Sequence, residues 1–323
     1  MATTPLSTNE QRQAMAESEA AGLDFIGPCP SHLSETFIDI PLPNATNKTK
    51  LVWPKISGAL PLVVYFHGGG LSVGSPDLVL APARGFASDW SCVVACPRLN
   101  QLPEYPFPGP VRIAWEVCAW LSNAENSNGV LDGTRVDPVQ GFVVGGLSSG
   151  GAAAAVIGSI SSLLSSPESK VSEFSGLTPL QAPITGIFSG IPFLATEDML
   201  PAEYQDMFKS RENEDEASGA MRLDLESRLA VHSPWFSPLN FDVVTQKHHP
   251  SKVFVYGGER DQFRDDSLIY AKWLEQLEVE VRTTVLEGEG HMAWLSLPWP
   301  ACHSDRMKET TMDGMAWLLD KSI

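Results

Sequence analysis

The chain has 323 residues, of which 43% are hydrophobic and 19% are charged, a composition that allows a large buried core and argues against general disorder. The formal net charge of −17 repels nucleic acid and anionic lipid headgroups, so nucleic acid is excluded as a partner. No stretch reaches the roughly 18 apolar residues that a membrane-spanning helix needs.

The amino terminus lacks the basic and apolar segments of a signal peptide, so we expect a cytoplasmic protein. The five cysteines are odd in number, which does not indicate a disulfide framework in a chain of this length. Cys92 and Cys96 flank an apolar run, and no second Cys/His pair follows them. We interpret both as buried strand residues rather than as zinc ligands.

Helical and strand patterns alternate along most of the chain. A helix is predicted over 9–23, followed by a short strand over 37–40 and a turn region rich in Pro and Asn. Short apolar runs typical of strands buried on both faces occur at 62–66, 92–96, 142–144, 184–188, 253–256 and 281–286. Further helices are predicted over 81–90, 111–122, 152–164, 267–277 and 308–319. The alternation predicts an α/β fold with a mostly parallel sheet and helices on both faces.

One segment, from about 193 to about 230, interrupts this alternation. It has no convincing strand, and it contains the charged run Lys209 to Glu216 and several helix-forming stretches. A solvated surface loop is one interpretation, but the segment is too long for an ordinary loop. We therefore predict a helical cap inserted into a single domain that spans 1–323.

The pattern Gly-x-Ser-x-Gly stands at Gly146 to Gly150, directly after the strand over 142–144 and before a helix. This is the context of a nucleophile elbow, in which a serine, here Ser148, lies on a strained turn between strand and helix. The glycines allow the turn to close, and the helix amino terminus favours developing negative charge. The alternative is a glycine-rich turn that serves only close packing.

A second motif, His67-Gly68-Gly69-Gly70, follows the strand over 62–66. Consecutive glycines leave backbone N–H groups free to face a ligand oxygen, so they can form an oxyanion hole together with the N–H of Ser149. We interpret His67 as a residue that braces this loop rather than as a base. A flexible loop is the alternative, and a phosphate-binding loop is disfavoured because no Gly-Lys-Ser/Thr follows.

A serine nucleophile needs a basic histidine, which follows the serine in this fold. His291 stands in a glycine-rich loop after the strand over 281–286, and parallel sheets place their sites at such strand ends. The other histidines after the serine are interpreted as surface or structural residues. Trp294, three residues beyond His291, is the tryptophan best placed to line a pocket, with ordinary core packing as its alternative.

The histidine needs an acid to orient it, and this acid lies between the serine and the histidine in the chain. Asp261 follows the strand over 253–256 and is the preferred candidate. Glu259, Asp265 and Asp266 are near competitors. We expect the last two to cap the helix predicted from residue 267.

Taken in order, these motifs resemble the hormone-sensitive-lipase-like branch of the α/β-hydrolases, a family of carboxylesterases from microbes, fungi and plants. The resemblance extends from residue 62 to the carboxyl terminus. It includes the two glycine motifs and the stretch from Pro97 to Pro108, which is similar to the family's Tyr-Arg-Leu-Ala-Pro-Glu-x-Pro-Phe-Pro. Ser233 to Leu239 and Asp261 to Asp265 also match.

The resemblance implies an α/β-hydrolase fold, a cap formed by about 1–35 and about 193–230, a small-molecule acyl substrate, and neither a cofactor nor a metal. It implies a triad of nucleophile, general base and orienting acid, formed by Ser148, His291 and Asp261. It implies an oxyanion hole formed by the N–H groups of Gly69, Gly70 and Ser149. A homodimer is left open.

Two departures from the family pattern bear on the substrate. The residue before the serine is usually acidic in the family but is Leu147 here, and the Tyr-Arg-Leu stretch begins with Pro97 and has extra residues over 100–102. We expect both changes in the walls of the pocket. Ester hydrolysis is the predicted reaction. The alternatives are thioester, lactone or C–C cleavage, acyl transfer or cyclisation in a biosynthetic pathway, and a non-catalytic ligand-binding role.

Overall fold

The computed structural model describes residues 7–43, 45–166, 172–291, 294 and 304–322. The strands are β1 (Leu33–Leu42), β2 (Ala45–Pro54), β3 (Gly58–Leu60), β4 (Leu62–Phe66), β5 (Val93–Pro97), β6 (Thr134–Val136), β7 (Phe142–Leu147), β8 (Gly186–Gly190), β9 (Lys252–Gly258) and β10 (Glu280–Leu286). The helices are α1 (Thr8–Ile26), α2 (Leu80–Trp90), α3 (Gly109–Leu121), α4 (Ala124–Asn128), α5 (Ser149–Leu164), α6 (Glu216–Glu226), α7 (Arg264–Leu274) and α8 (Asp305–Leu318). Short 3₁₀ helices lie between these elements.

Among the described residues, eight strands form one sheet in the order β1-β2-β5-β4-β7-β8-β9-β10. The six strands from β5 to β10 in this order pair in parallel, whereas β2 is antiparallel to both of its neighbours. Every residue of β4, β5 and β7 is buried, as expected for parallel strands covered on both faces. The predicted mostly parallel sheet is confirmed.

Two apolar clusters cover the two faces of the sheet. One contains the buried residues of α3, α5 and α7, and the other contains those of α2 and α8. Cys92 and Cys96 lie in the second cluster, where both are unpaired and burial raises the pKa of each thiol. The prediction that both are buried is confirmed. Cys96 lies in β5, whereas Cys92 immediately precedes this strand.

The amino-terminal edge of the sheet differs from the prediction. The short strand predicted over 37–40 is part of a ten-residue strand, β1, and the region predicted as a turn continues into a second ten-residue strand, β2. These strands pair in antiparallel register from Leu33 opposite Pro54 to Leu42 opposite Ala45. The polar residues in the first half of β2 form a strand because they pair with β1, and the local composition does not indicate this pairing.

The parallel strands place four loops at one edge of the sheet. The loops after β4 and β7 follow neighbouring central strands, and those after β9 and β10 follow the two strands at one side. They begin at His67, Ser148, Glu259 and Glu287. The carboxyl end of a parallel sheet therefore collects the chain segments in which the sequence motifs lie.

Candidate active site

Ser148 lies at the turn between β7 and α5. Its backbone has φ 53° and ψ −121°, a conformation that is strained for a residue with a side chain. Its N–H donates to the carbonyl of Gly190, 2.8 Å away, and its own carbonyl accepts from Ala152 at 2.9 Å. These bonds hold the strained residue between β8 and the first turn of α5.

The glycines on either side of Ser148 are required by close backbone contacts. A Cβ on Gly146 would lie 2.6 Å from the carbonyl oxygen of Phe66, and one on Gly150 would lie 2.5 Å from the carbonyl oxygens of Phe66 and His67. No real Cβ makes such contacts, so the turn can pack against the end of β4 only with glycine at both positions. The elbow geometry predicted from the motif is present.

A continuous chain of hydrogen bonds extends from Ser148 to Asp261. The Oγ of Ser148 lies 2.9 Å from Nε2 of His291. Nδ1 of His291 lies 2.9 Å from Oδ2 and 3.1 Å from Oδ1 of Asp261. A proton on Nδ1, donated to the carboxylate, leaves Nε2 free to accept the serine proton. The structure thus brings Ser148 together with two side chains that lie more than a hundred residues further along the chain.

The surroundings of Asp261 keep its carboxylate in place. The side chain is fully buried, and Oδ1 also accepts a hydrogen bond from the N–H of Phe263 at 2.8 Å. The side chain of His291 is 33% exposed. Burial disfavours its charged form, but the charge and the hydrogen bond of Asp261 outweigh burial and raise the pKa of His291 above its usual value. Such a shift strengthens the imidazole as a base.

The loop after β4 contacts the serine. A Cβ on Gly68 would lie 3.2 Å from Cβ of Ser148. Gly69 and Gly70 have φ of 110° and 59°, and a Cβ on Gly69 would lie 2.3 Å from the carbonyl oxygen of Val73. Within the described part of the chain, the N–H groups of Gly69, Gly70 and Ser149 have no acceptor. These three donors are therefore free for a ligand oxygen.

His67 braces this loop with both ring nitrogens. Nδ1 donates to the carbonyl of Gly68 at 2.7 Å, and Nε2 accepts from the N–H of Leu99 at 3.1 Å. Only a neutral imidazole can make both bonds. Burial lowers the pKa of His67 to about 4, so the ring is neutral at physiological pH. The interpretation of His67 as a bracing residue is confirmed.

The competing acids have other partners. Glu259 is exposed and accepts from the N–H of Gly288 at 2.8 Å. The expectation that Asp265 and Asp266 cap a helix from residue 267 is wrong, because α7 begins at Arg264 and has no side-chain cap. Asp265 instead accepts from the N–H groups of 209 and 210, and Asp266 accepts from those of 194 and 195. Both carboxylates bind the insertion.

The two segments predicted to form a cap contact the glycine-rich loop. In the insertion, 3₁₀ helices over Ala202–Met207 and Ser210–Asn213 precede α6, and a Cβ on Gly70 would lie 3.6 Å from Cδ2 of Leu225. From α1, Arg12 donates to the carbonyl of Ser72 at 3.0 Å, and Glu19 accepts from Ser75. Neither α1 nor α6 has a buried residue.

The remaining sequence candidates lie elsewhere. The ring of Trp294 contacts the α2 and α8 side, 3.3 Å from a Cβ on Gly85 and 5.5 Å from Nζ of Lys308, as expected of a packing residue. His232 is exposed beside Asp198, and His249 is buried. Cys302 and His303 lie outside the described residues. In the described ranges no group of three or more His, Cys, Asp or Glu side chains could hold a metal ion.

Two residues of the insertion were missed by sequence analysis. Arg211 and Asn213 donate to backbone carbonyls of the loop that contains Asp261. Their only signal in the sequence is a charged run, which is equally typical of a solvated surface.

Comparisons with known proteins agree with this fold. Residues 63–295 match a family described as alpha/beta hydrolase fold. The chain is 24% identical over 338 residues to an AB hydrolase superfamily protein of Schizosaccharomyces pombe, with 96% of this chain and 87% of that protein covered. It is 26% identical to an esterase of Fusarium pseudograminearum. The match covers 72% of this chain and 65% of that esterase, which is less than two thirds of the esterase's length.

Among solved structures, vibralactone cyclase is similar, with a TM-score of 0.81 and 20% identity over 99% of this chain and 91% of the cyclase. The chain belongs to the α/β-hydrolase fold family, and it is an enzyme of the hydrolase class. None of the helices in the described ranges is both long and apolar enough to cross a membrane.

Proposed function

We propose that this enzyme cleaves carboxylic esters of small or medium-sized substrates through an acyl-enzyme on Ser148. The observation that carries the proposal is the hydrogen-bond chain from Ser148 Oγ through His291 to the buried carboxylate of Asp261. Nucleophile, base and orienting acid stand within hydrogen-bond reach of one another, which is the arrangement that activates a serine. The esterase among the relatives supports the same reaction.

In the first half of the reaction, Ser148 Oγ attacks the acyl carbon while Nε2 of His291 takes its proton. The carbonyl oxygen becomes an oxyanion, and its collapse breaks the bond to the alcohol, which receives the proton from His291. In the second half, water attacks the acyl-enzyme, and His291 again accepts and returns a proton. Asp261 stabilises the imidazolium that forms in each half.

The N–H groups of Gly69, Gly70 and Ser149 would donate hydrogen bonds to the oxyanion. Their lack of acceptors in the described residues supports this role, as does the contact of the same loop with Ser148. The amino terminus of α5 adds a partial positive charge beside them. Losing one such donor typically costs a factor of about 10² to 10³ in rate.

We also infer that α1 and α6 act as the cap. Both contact the glycine-rich loop, and both lack buried residues, so they can cover the site without forming part of the core. Residues of these two helices would then decide which acyl and alcohol groups fit. A bound product or a covalent inhibitor in a solved structure would identify them.

Turnover of p-nitrophenyl acetate and butyrate tests the proposed function. We expect the wild type to hydrolyse a short ester and Ser148→Ala to lose activity by a factor of at least about 10⁴. Ser165→Ala, at the exposed far end of α5, is the control and should retain activity. Equal rates for wild type and Ser148→Ala would refute the assignment.

A second candidate is acyl transfer to a hydroxyl of the substrate itself, which would form a lactone. The same three groups can catalyse it, and the similarity to vibralactone cyclase favours its inclusion. Product analysis with hydroxy-esters separates the two reactions, because only hydrolysis releases a free acid. A binding protein without catalysis would fail to react with a fluorophosphonate, whereas an activated Ser148 is labelled covalently.

A further inference from the structure

The insertion is bound to the loop that contains Asp261 by a compact set of polar contacts. We call residues 259–263, between β9 and α7, the acid loop and residues 209–213 the anchor segment. The Oγ of Ser210 donates to the carbonyl of Gln262 at 2.8 Å, and Nδ2 of Asn213 donates to the carbonyl of Asp261 at 3.3 Å. Nδ2 of Asn213 also lies 3.4 Å from the carbonyl oxygen of Glu259, so the anchor segment contacts the backbone before and after Asp261.

Arg211 makes the central contacts of the anchor segment. Its guanidinium pairs with the carboxylate of Asp266, with nitrogen to oxygen distances of 3.0 and 3.2 Å. It also donates to the carbonyls of Gln262 and Ala195. One planar group thus joins the acid loop, the first turn of α7 and the start of the insertion.

Aromatic rings surround the same guanidinium. Its carbon lies 4.5 Å from the ring centroid of Phe208, 4.8 Å from that of Phe263 and 5.8 Å from that of Phe193. The ring of Phe263 in turn meets the imidazole of His291 edge to face, with centroids 5.1 Å apart. Arg211 is therefore one ring away from the base, and it touches neither the serine nor the base itself.

The ion pair is buried on its acidic side. Asp266 is fully buried, and the Arg211 side chain is 16% exposed. Burial raises the pKa of Asp266, and the charge of Arg211 opposes this. A planar guanidinium can pair with a carboxylate and two carbonyls while stacking on aromatic rings, whereas a lysine ammonium cannot satisfy all of these partners in one geometry.

We propose that Arg211 is a positioning residue, which holds the acid loop so that Asp261 and Phe263 keep the imidazole of His291 in line with Ser148. The proposal rests on the proposed function of these three residues. It assigns the insertion a role in catalysis beyond covering the site, because the same segment that belongs to the insertion fixes the orienting acid.

Kinetics of Arg211→Lys and Arg211→Ala on a p-nitrophenyl ester test this inference. Because a misplacement of about 1 Å in such a site costs about 10² in rate, we expect kcat to fall about 10-fold in Arg211→Lys and about 100-fold in Arg211→Ala, while KM changes little. Ethylguanidine should restore activity to Arg211→Ala by filling the vacated space. If Arg211→Ala does not fold, Arg211→Lys still gives the kcat and KM values.

Lys252→Arg and Lys252→Ala are the controls, since Lys252 lies at the start of β9, at the other end of this strand from the acid loop, and its side chain is 19% exposed and pairs with Asp320. Both should keep the wild-type kcat. An unchanged kcat in the Arg211 variants, or an equal loss in the Lys252 variants, would overturn the positioning role while leaving the proposed function intact.

The inference can also be tested without turnover. The proton on Nδ1 of His291 should give a downfield NMR signal in wild type and in Lys252→Ala, and this signal should be lost in both Arg211 variants. Persistence of the signal in those variants would contradict the inference. A wild type that cleaves no ester would instead refute the proposed function, and the NMR comparison would then decide the inference alone.

Discussion

The two halves of the candidate site are held in different ways. On the serine side, backbone contacts among Gly146, Gly150 and the end of β4 fix the turn, and substitutes with a Cβ would collide at 2.5 to 2.6 Å. On the acid side, side-chain contacts hold the structure: Asp265 and Asp266 bind the anchor segment, which belongs to the insertion and also contacts the acid loop. The residues that build the first half form two short sequence motifs, whereas the second half depends on side-chain contacts between residues more than fifty positions apart.

This contrast predicts different responses to mutation. The backbone contacts of the elbow leave no space for an added atom, so substitutions of its glycines should lower the free energy of unfolding. Side-chain contacts of the acid loop can be weakened without a steric collision. Substitutions there should therefore lower kcat more than they lower the free energy of unfolding.

The largest expected effect is on the acid side. Asp261→Asn should lower kcat by about 10⁴, because an amide in place of the carboxylate favours the wrong tautomer of His291. Steady-state kinetics on a short ester measure it, with thermal unfolding to check that the fold is kept. Glu259→Gln is the matched control at the exposed competitor and should stay within about twofold of wild type. A comparable loss in Glu259→Gln would mean that the acid is misassigned.

A smaller effect is expected on the serine side, and on stability. Gly150→Ala should lower the free energy of unfolding by about 3 kcal/mol, since the new methyl would meet two backbone oxygens at 2.5 Å. Urea denaturation measures the change. Gly22→Ala, in α1 with open space around it, should instead raise stability by about 0.5 to 1 kcal/mol. Equal changes in the free energy of unfolding at the two positions would show that the close contacts of Gly150 do not exclude a Cβ.

The smallest effect concerns the loop between the halves and its dependence on pH. The pKa of His67 is lowered to about 4 in the folded state, below its unfolded value near 6.5. The unfolded chain therefore binds the proton first as pH falls, and the stability from the neutral ring, fully present above pH 6.5, is lost towards pH 4. Between pH 6.5 and 4.5 the loss is about 2 kcal/mol.

Urea denaturation across this pH range measures that loss for wild type and for His67→Asn, which cannot titrate. His249 contributes a loss of the same sign, because burial lowers its pKa to about 4 as well, so the comparison of the two proteins isolates His67. If the free energy of unfolding depended on pH in the same way in both proteins, this would contradict a neutral, buried His67.

The serine side could be predicted from the sequence because its information is local. The pattern around Ser148, the glycines at 68–70 and the flanking apolar runs each indicate a turn after a strand from residues that are neighbours in the chain. The order of serine, acid and histidine then selected His291 and Asp261. The strand ends at which they lie follow from a parallel sheet, which the apolar runs also predict.

The remainder depends on contacts that no local pattern reports. Asp265 and Asp266 are typical helix-capping residues by type, yet the backbone of the insertion supplies their hydrogen-bond partners, and α7 begins earlier than predicted. Arg211 stands in a charged run, but three rings and a buried carboxylate surround it. Likewise, the polar residues of β2 are strand because β1 and β5 pair with them.

The construction of the elbow also bears on how its sequence can change over evolutionary time. The turn is held by the backbone atoms of Phe66, His67 and Gly190, while the side chain of Leu147 is 5% exposed in the apolar cluster on the α2 and α8 side and packs over Gly190, where its Cδ2 would lie 2.8 Å from an added Cβ. The backbone contacts that hold the nucleophile therefore do not involve the side chain at position 147. A lineage can exchange the acidic residue usual there for leucine, and so alter the surroundings of the serine, without rebuilding the turn that presents it.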